Sequence, residues 1–306
     1  MQDLLRRHPE ILRRTMPDPI VVVGLARSGT TRLHRLLAAD QHFLHLAAWE
    51  SVYPVPYPAC FAARDAGRAD PRIAALDQGL RAVLYMSPQI AAVHPLGTLE
   101  VEEEVGLIQH GFSSQLFEIQ AKIPSFAEWL MTHDQSAAYE RARGFLDPIA
   151  ERAAVKAGGS ACSMAWNAIV RDSDTVTPQW VGQEWLHKTE RMLHKTLRVR
   201  EELAPDQNQY DIQYADINVD WEQAMRGVYD FLALPFTDRT RSAMQAWIDG
   251  NQQHKHGAHQ YTLADFGLDQ GEVERHLRFY REKFNIPYET NHPHTTANRQ
   301  SAGESP

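Results

Sequence analysis

The first sharp change in hydrophobic pattern lies between positions 20 and 37. Ile20 to Val23 is an unbroken β-branched run, which predicts a strand buried on both faces. A turn follows at Gly24 to Gly29, after which Leu33, Leu36 and Leu37 recur at helical spacing. FLHLAA at 43–48 predicts a second strand ending at Trp49 and Glu50, and the YPVPYP that comes next excludes regular structure. From about 70 to 157 the periodicity is mostly helical, through RIAALDQGLRAVLYM, VEEEVGLIQHGF and PSFAEWLMTHDQSAAYERARGFLDPIAERAAV. Helices are also expected at 160–170, in VGQEWLHKTERMLHKTLRVREEL, and in WEQAMRGVYDFLAL, TRSAMQAWIDGNQ and EVERHLRFYREKF. YDIQYADI at 210–217 alternates and predicts a strand. At the start, MQDLLRRHPEILRR reads as a short amphipathic helix with Leu4, Leu5, Ile11 and Leu12 toward the core.

Few strands among many helices, with a strand–glycine turn–helix unit near the start, predict an α/β fold. The expected architecture is a P-loop NTPase-like parallel sheet core carrying large helical insertions. One domain is expected over 1–290, with an N-terminal helix at 1–17 and the main helical insertion at 70–157. The tail at 291–306, rich in His, Thr, Ser and Pro, is expected to be disordered.

Composition narrows the partners. The 306 residues are 43% hydrophobic and 23% charged, enough to bury a full core. A formal charge of −8 without a long basic tract argues against nucleic acid, so any bound anion must meet a local cluster of donors. Cys60 and Cys162 match no metal or redox motif and read as reduced, buried thiols. No apolar run reaches the length of a membrane span, and the N-terminus lacks an apolar h-region. The expectation is a cytoplasmic protein without a membrane partner; the pattern leaves its oligomeric state open.

The glycine turn carries the candidate chemistry. In PIVVVGLARSGTTRLHRLLAA, Gly24 and Gly29 have the spacing of a phosphate-binding loop, but Thr30 stands where such a loop has lysine. The backbone N–H groups of residues 28–31 and the N-terminus of the following helix still form an anion cradle. Ser28, Thr30 and Thr31 add hydroxyl donors, and Arg27 adds a planar fork suited to phosphate or sulfate oxygens. The missing lysine argues against a nucleoside triphosphatase and for a 5′-phosphate with one neighbouring group. A glycine turn without a ligand is the competing reading.

GLARSGTTRLHRLLA resembles the 5′-phosphosulfate loop of sulfotransferases, in particular the bacterial family with GLPRSGTT followed by a Trp-Glu segment. Further similarity lies in AAWESVYPVP, HPLGTLEVEEE, VGQEWLHKTERML, YADI and HQYTLADFGL, so it spans most of 18–288, with the loop as its sharp motif. Ala26 replaces the family's usual proline. The resemblance implies transfer of the sulfo group of 3′-phosphoadenosine 5′-phosphosulfate (PAPS), without a metal, to a hydroxyl of a small-molecule acceptor. It implies that Arg27, Ser28, Gly29, Thr30 and Thr31 hold the phosphosulfate and that Arg27 stabilises the leaving phosphate. It also implies Glu50 as the base that accepts the acceptor's proton, and Tyr214 as a platform for the nucleotide base. An exposed or ion-paired glutamate competes for Glu50, and core packing competes for Tyr214.

Other residues are read directly. His94 in AVHPLG is a second candidate base, against the reading of a turn residue before proline. The run Glu102, Glu103, Glu104 at a helix start is expected to complement the helix dipole, with an acidic acceptor lining as the alternative. His254, His256 and His259 read as a polar loop with no metal, and Lys255 beside them as a possible cover for the nucleotide. Tyr53, Tyr57, Phe112, Phe117 and Trp129 would give an apolar acceptor site, or serve equally as core.

The pattern breaks in one place. Sulfotransferases hold the 3′-phosphate with an arginine after a strand and a serine eight residues later. Here Arg152 and Ser160 have that spacing, but ERAAVKAGG is helical in pattern and lacks the family's proline. Either a core strand and its preceding segment are deleted from the sheet, or the region has diverged beyond recognition, and donor affinity is expected to be compromised. A degenerate, non-catalytic relative and a magnesium-dependent phosphotransferase stay open as alternatives.

Overall fold

The structure is a computed structural model that describes residues 6–7, 20–24, 28–88, 90–94, 96–138, 165, 175–202, 209–251 and 262–286. In chain order the helices are α1 (Thr30–Ala39), α2 (Ala48–Val52), α3 (Pro58–Asp65), α4 (Pro71–Met86), α5 (Ile90–Val93), α6 (Val105–Gln109) and α7 (Leu116–Gln120). They continue as α8 (Pro124–Thr132), α9 (Pro178–Glu202), α10 (Tyr214–Val219), α11 (Trp221–Phe231), α12 (Asp238–Gly250) and α13 (Gln270–Lys283), with a 3₁₀ turn at Ala264–Phe266. Most helices predicted within the described residues form, but VEEEVGLIQHGF is helical only over Val105–Gln109, with Val101 in a bridge, and the helix from Pro124 stops at Thr132.

Several begin at the side chains that make good caps. Asp70 accepts from the N–H of Arg72 ahead of α4, Asp220 from Gln223 ahead of α11, and Asp269 from Glu272 ahead of α13. Each such cap satisfies an amide that the helix itself leaves without a partner, and is worth about 1 kcal/mol.

Two apolar clusters hold the elements. In the first, Leu33, Leu36 and Leu37 of α1 pack with Ile212, Ile217 of α10, Met225, Val228 and Tyr229 of α11, and Met244 of α12. In the second, Val181, Trp185, Leu186 and Leu193 of α9 meet Phe266, Leu268 and the Val273, Leu277 and Tyr280 face of α13. A Cβ on Gly182 would sit 3.0 Å from Phe266 Cβ, so the glycine lets α9 lie directly against the 3₁₀ turn.

The predicted strands turn out differently. Among the described residues β pairing is limited to bridges: Ala47 pairs antiparallel with Val101, and Val22 takes part in another. Val21 and Val23 are 45% and 50% exposed while Val22 packs on the first cluster, so this extended run is buried on one side rather than both. FLHLAA is extended only to Ala47. The amides of Ala48 and Trp49 bond the carbonyls of Glu100 and Thr98, and α2 starts there. Glu50 therefore lies in the first turn of a helix, not at a strand end. YDIQYADI is extended through Gln213 and helical from Tyr214, which lets Ile212 and Ile217 reach the same cluster. No strand is named among the described residues, so the expected parallel sheet, complete or lacking a strand, is not seen in them. Leu4, Leu5, Ile11 and Leu12, most of 160–170 and the tail at 291–306 lie outside the described residues.

A half-buried, hydrogen-bonded carboxylate fixes the C-terminal end of α1. The hydroxyls of Tyr229 and Thr240 donate to Asp40 Oδ2 at 2.7 and 2.9 Å, and the His42 amide donates to Oδ1 at 3.0 Å. Burial raises the pKa of Asp40, but these hydrogen bonds outweigh it and hold the carboxyl below its ordinary value. Asp40→Ala strands the hydroxyl of Tyr229, a residue only 1% exposed, and should cost about 1–3 kcal/mol in urea unfolding. Tyr229→Phe removes the donor and keeps the ring, and should cost about 1 kcal/mol.

Candidate active site

A left-handed glycine opens α1. Gly29 has φ 95 and ψ 4 and caps the helix, its carbonyl accepting from the amides of Arg32 and Leu33 at 3.0 and 3.1 Å. An L side chain is strained at that φ, and space forbids one as well: a Cβ on Gly29 would fall 2.6 Å from Tyr214 Cε2. Tyr214, the first residue of α10, thus lays its ring on the glycine at the end where α1 turns its unbonded amides outward. Ser28 beside it is 5% exposed, and its Oγ is buried without a hydrogen-bond partner among the described residues. Thr30 and Thr31 occupy the first two helical positions. The structure brings Ser28, Gly29, Thr30, Thr31 and Tyr214 to one place. Arg27, Arg152, Ser160 and the loop with His254, Lys255, His256 and His259 lie outside the described residues.

Glu50 is engaged with backbone. Its Oε2 accepts from the Ala47 amide at 3.0 Å, the reaching-back half of a capping box. Next to it Arg72 stacks over the Trp49 ring at 4.5 Å, pairs with Asp70 at 2.8 Å and donates to the Tyr53 carbonyl at 2.9 Å. The Arg72 guanidinium outweighs burial and holds the Asp70 carboxyl down at about 2.

One turn along α1 from the glycine sits a polar cluster that the pattern did not assemble. Arg35, 6% exposed, reaches Glu100 at 3.2 Å and Glu102 at 3.7 Å and donates to the Val101 carbonyl at 3.3 Å. Glu102 Oε1 also takes His94 Nε2 at 3.2 Å. Burial raises Glu102, but His94 and Arg35 outweigh it and keep it below its ordinary value. Glu103 faces burial and the neighbouring carboxylates, and its pKa is raised. Glu104 directly precedes α6, as expected; Glu102 instead turns to His94 and Arg35, so it serves an ion pair rather than a helix dipole. The HRLL of α1 was the available signal for His34 and Arg35, but charged residues on a helix normally face water.

His34 belongs to the same cluster. Its ring shares the Val101 carbonyl with Arg35, and its Nε2 is buried without a partner among the described residues. Burial first, then the charge of Arg35, pushes its pKa down to about 4.

The aromatic residues form a ladder rather than a core. Phe112 is 72% exposed and stacks on Phe117 at 5.8 Å, which meets Phe126 at 5.6 Å, and Phe126 meets Trp129 at 5.6 Å. Tyr53 and Tyr57 are 40% and 46% exposed. Among the described residues no group of three or more His, Cys, Asp or Glu is placed to hold a metal, and no helix is long and apolar enough to cross a membrane.

Residues 19–238 match the family model described as "Sulfotransferase family". Two solved structures are similar in fold. One is the sulfotransferase STF1 from Mycobacterium tuberculosis H37Rv, 24% identical over 90% of this chain and 80% of that one, with a TM-score of 0.74. The other is the sulfotransferase STF9 from Mycobacterium avium, 22% identical over 94% and 81%, with a TM-score of 0.78. No curated protein matches the chain.

Two outcomes follow from this geometry. A His34 pKa held below the ordinary histidine value of about 6.5 contributes stability that is fully present above that pH and is lost as pH falls toward about 4. From pH 7.5 to pH 5 the wild type should lose about 2 kcal/mol in denaturant unfolding that His34→Asn does not lose. Gly29→Ala should destabilise by about 2 kcal/mol or more, from backbone strain and the clash with Tyr214. Adding Tyr214→Ala should relieve the steric share and leave the backbone share, a non-additivity read from a double-mutant cycle.

Proposed function

The chain belongs to the sulfotransferase family, and from that premise we propose that it transfers the sulfo group of PAPS to a hydroxyl of a small-molecule acceptor. The observation that carries the reading is the buried Ser28 Oγ, without a partner among the described residues, beside the left-handed Gly29 at the N-terminus of α1. A buried hydroxyl without a partner costs free energy, and an oxyanion at the helix N-terminus would supply one. The residues present suit a phosphosulfate: hydroxyls, outward amides and a helix dipole, without the lysine that a triphosphate tail calls for.

In this reading Ser28, Gly29, Thr30 and Thr31 bind the bridging region, and Arg27 neutralises charge on the 5′-phosphate as it leaves. Stabilisation of that kind is worth about 3 kcal/mol per well-placed donor. The contact of Tyr214 with Gly29 supports its place at the nucleotide end. Arg152 and Ser160 are proposed for the 3′-phosphate on their spacing alone. Glu50 or His94 removes the proton from the attacking hydroxyl as oxygen bonds sulfur and the bond to the phosphate breaks. The parallel sheet core is proposed with the fold, by likeness to the two mycobacterial sulfotransferases. The aromatic ladder from Phe112 to Trp129, exposed at its two ends, favours an apolar acceptor.

Isothermal titration with adenosine 3′,5′-bisphosphate tests the donor site. Binding weaker than micromolar is expected from the compromised 3′-phosphate segment, and about tenfold weaker again in Ser28→Ala, while the same substitution leaves unfolding stability equal or higher; micromolar binding would show the donor site to be intact. A screen of PAPS against phenols, alcohols and sugars should give turnover that Arg27→Ala abolishes and a chelator leaves intact. Absence of bisphosphate binding would point instead to a non-catalytic relative.

A further inference from the structure

We propose that Glu102 is a positioning residue for the sulfo transfer, holding His94 in the tautomer whose Nδ1 takes the acceptor's proton. The inference rests on the sulfotransferase reading above and chooses between its two candidate bases.

Glu50 already uses a carboxylate oxygen on the Ala47 amide, so a proton arriving there would weaken the start of α2. His94 has no such burden. Its Nε2 lies 3.2 Å from Glu102 Oε1, and a carboxylate is an acceptor, so the Nε2 proton is donated and the lone pair is left on Nδ1. The side chain is 25% exposed, so it is not sealed in the interior.

The carboxylate is in turn fixed. Arg35, buried on α1, holds Glu102 and Glu100 together, and Glu102's own amide bonds the Leu46 carbonyl at 2.9 Å. The groups facing His94 and its partner are His34 and Arg35 from α1 and Glu100, Glu102, Glu103 and Glu104 from the segment ahead of α6. His34, driven neutral by burial, does not compete with His94 as a cation for Glu102. Thr30 and His34 are four residues apart on one face of α1, roughly 6 Å along its axis, so the cluster adjoins the phosphate-binding end.

The step balances without an outside reagent. The acceptor oxygen forms its bond to sulfur, the sulfur–oxygen bond to the 5′-phosphate breaks, and the electron pair stays on the phosphate. The acceptor's proton ends on Nδ1, and Glu102 faces the resulting imidazolium through Nε2–H.

The test is nitrogen NMR of ring-labelled histidine in the full chain, with adenosine 3′,5′-bisphosphate titration and PAPS-dependent turnover of 2-naphthol on the same preparations. In the wild type the His94 ring should show the Nε2–H tautomer, and Glu102→Gln should shift it to a mixture. Turnover should fall at least tenfold in kcat with the KM for PAPS unchanged. Glu102→Asp keeps the charge beside Arg35 but draws it back from His94, so it should show the same change with an unfolding midpoint near wild type. An Nδ1–H tautomer in the wild type, or a ring signature and kcat that Glu102→Gln and Glu102→Asp leave unmoved, overturns the proposal. A wild type that does not bind the bisphosphate overturns the sulfotransferase reading itself, whereas binding with normal turnover in both variants overturns only the role of Glu102.

Discussion

A guanidinium buried in the middle of α1 governs what surrounds the candidate site. Taking Arg35 out of water costs several kcal/mol unless anions come with it, and Glu100 and Glu102 are those anions. Their segment must therefore lie along α1. Once it does, Val101 bridges to Ala47, the Thr98 and Glu100 carbonyls receive the first amides of α2, and Glu102 meets His94. An ion pair between distant parts of the chain thus orders the start of α2 and joins both candidate bases to the helix that opens at Gly29.

The same helix is held at each end by a different kind of contact. At its C-terminal end Asp40 gathers Tyr229 and Thr240, so α11 and α12 are tied to it by hydrogen bonds as well as by apolar packing. At its N-terminal end the contact is steric: Tyr214 rests on a glycine that has no side chain to oppose it. The end tied down by the hydrogen-bonded Asp40 is structural, and the end where the Ser28 hydroxyl has no partner among the described residues is the one proposed to take an oxyanion. Satisfied polar groups confer stability, while unsatisfied ones next to a helix N-terminus store affinity for a ligand.

Helix positions and the glycine turn ahead of α1 were legible because both depend on short-range periodicity and on residues within one turn of each other. Leu33, Leu36 and Leu37 repeat at helical spacing and are all buried, and Gly29 adopts the left-handed conformation that its place in the loop calls for. The strand expectations at 43–48 and 210–217 failed for a shared reason. Alternation over a few residues does not say where a helix will start, and here carbonyls from 98–100 and a common apolar cluster drew α2 and α10 forward.

By itself, then, the chain's order of residues determined the helices, the loop and the sulfotransferase resemblance, all of which are encoded locally. Only tertiary structure decided that Glu102 faces His94 and Arg35 rather than a helix dipole, that Glu50 caps α2, and that Tyr214 touches Gly29. Those pairings join residues far apart in sequence, and their partners are chosen by desolvation and packing, which no single stretch of the chain records.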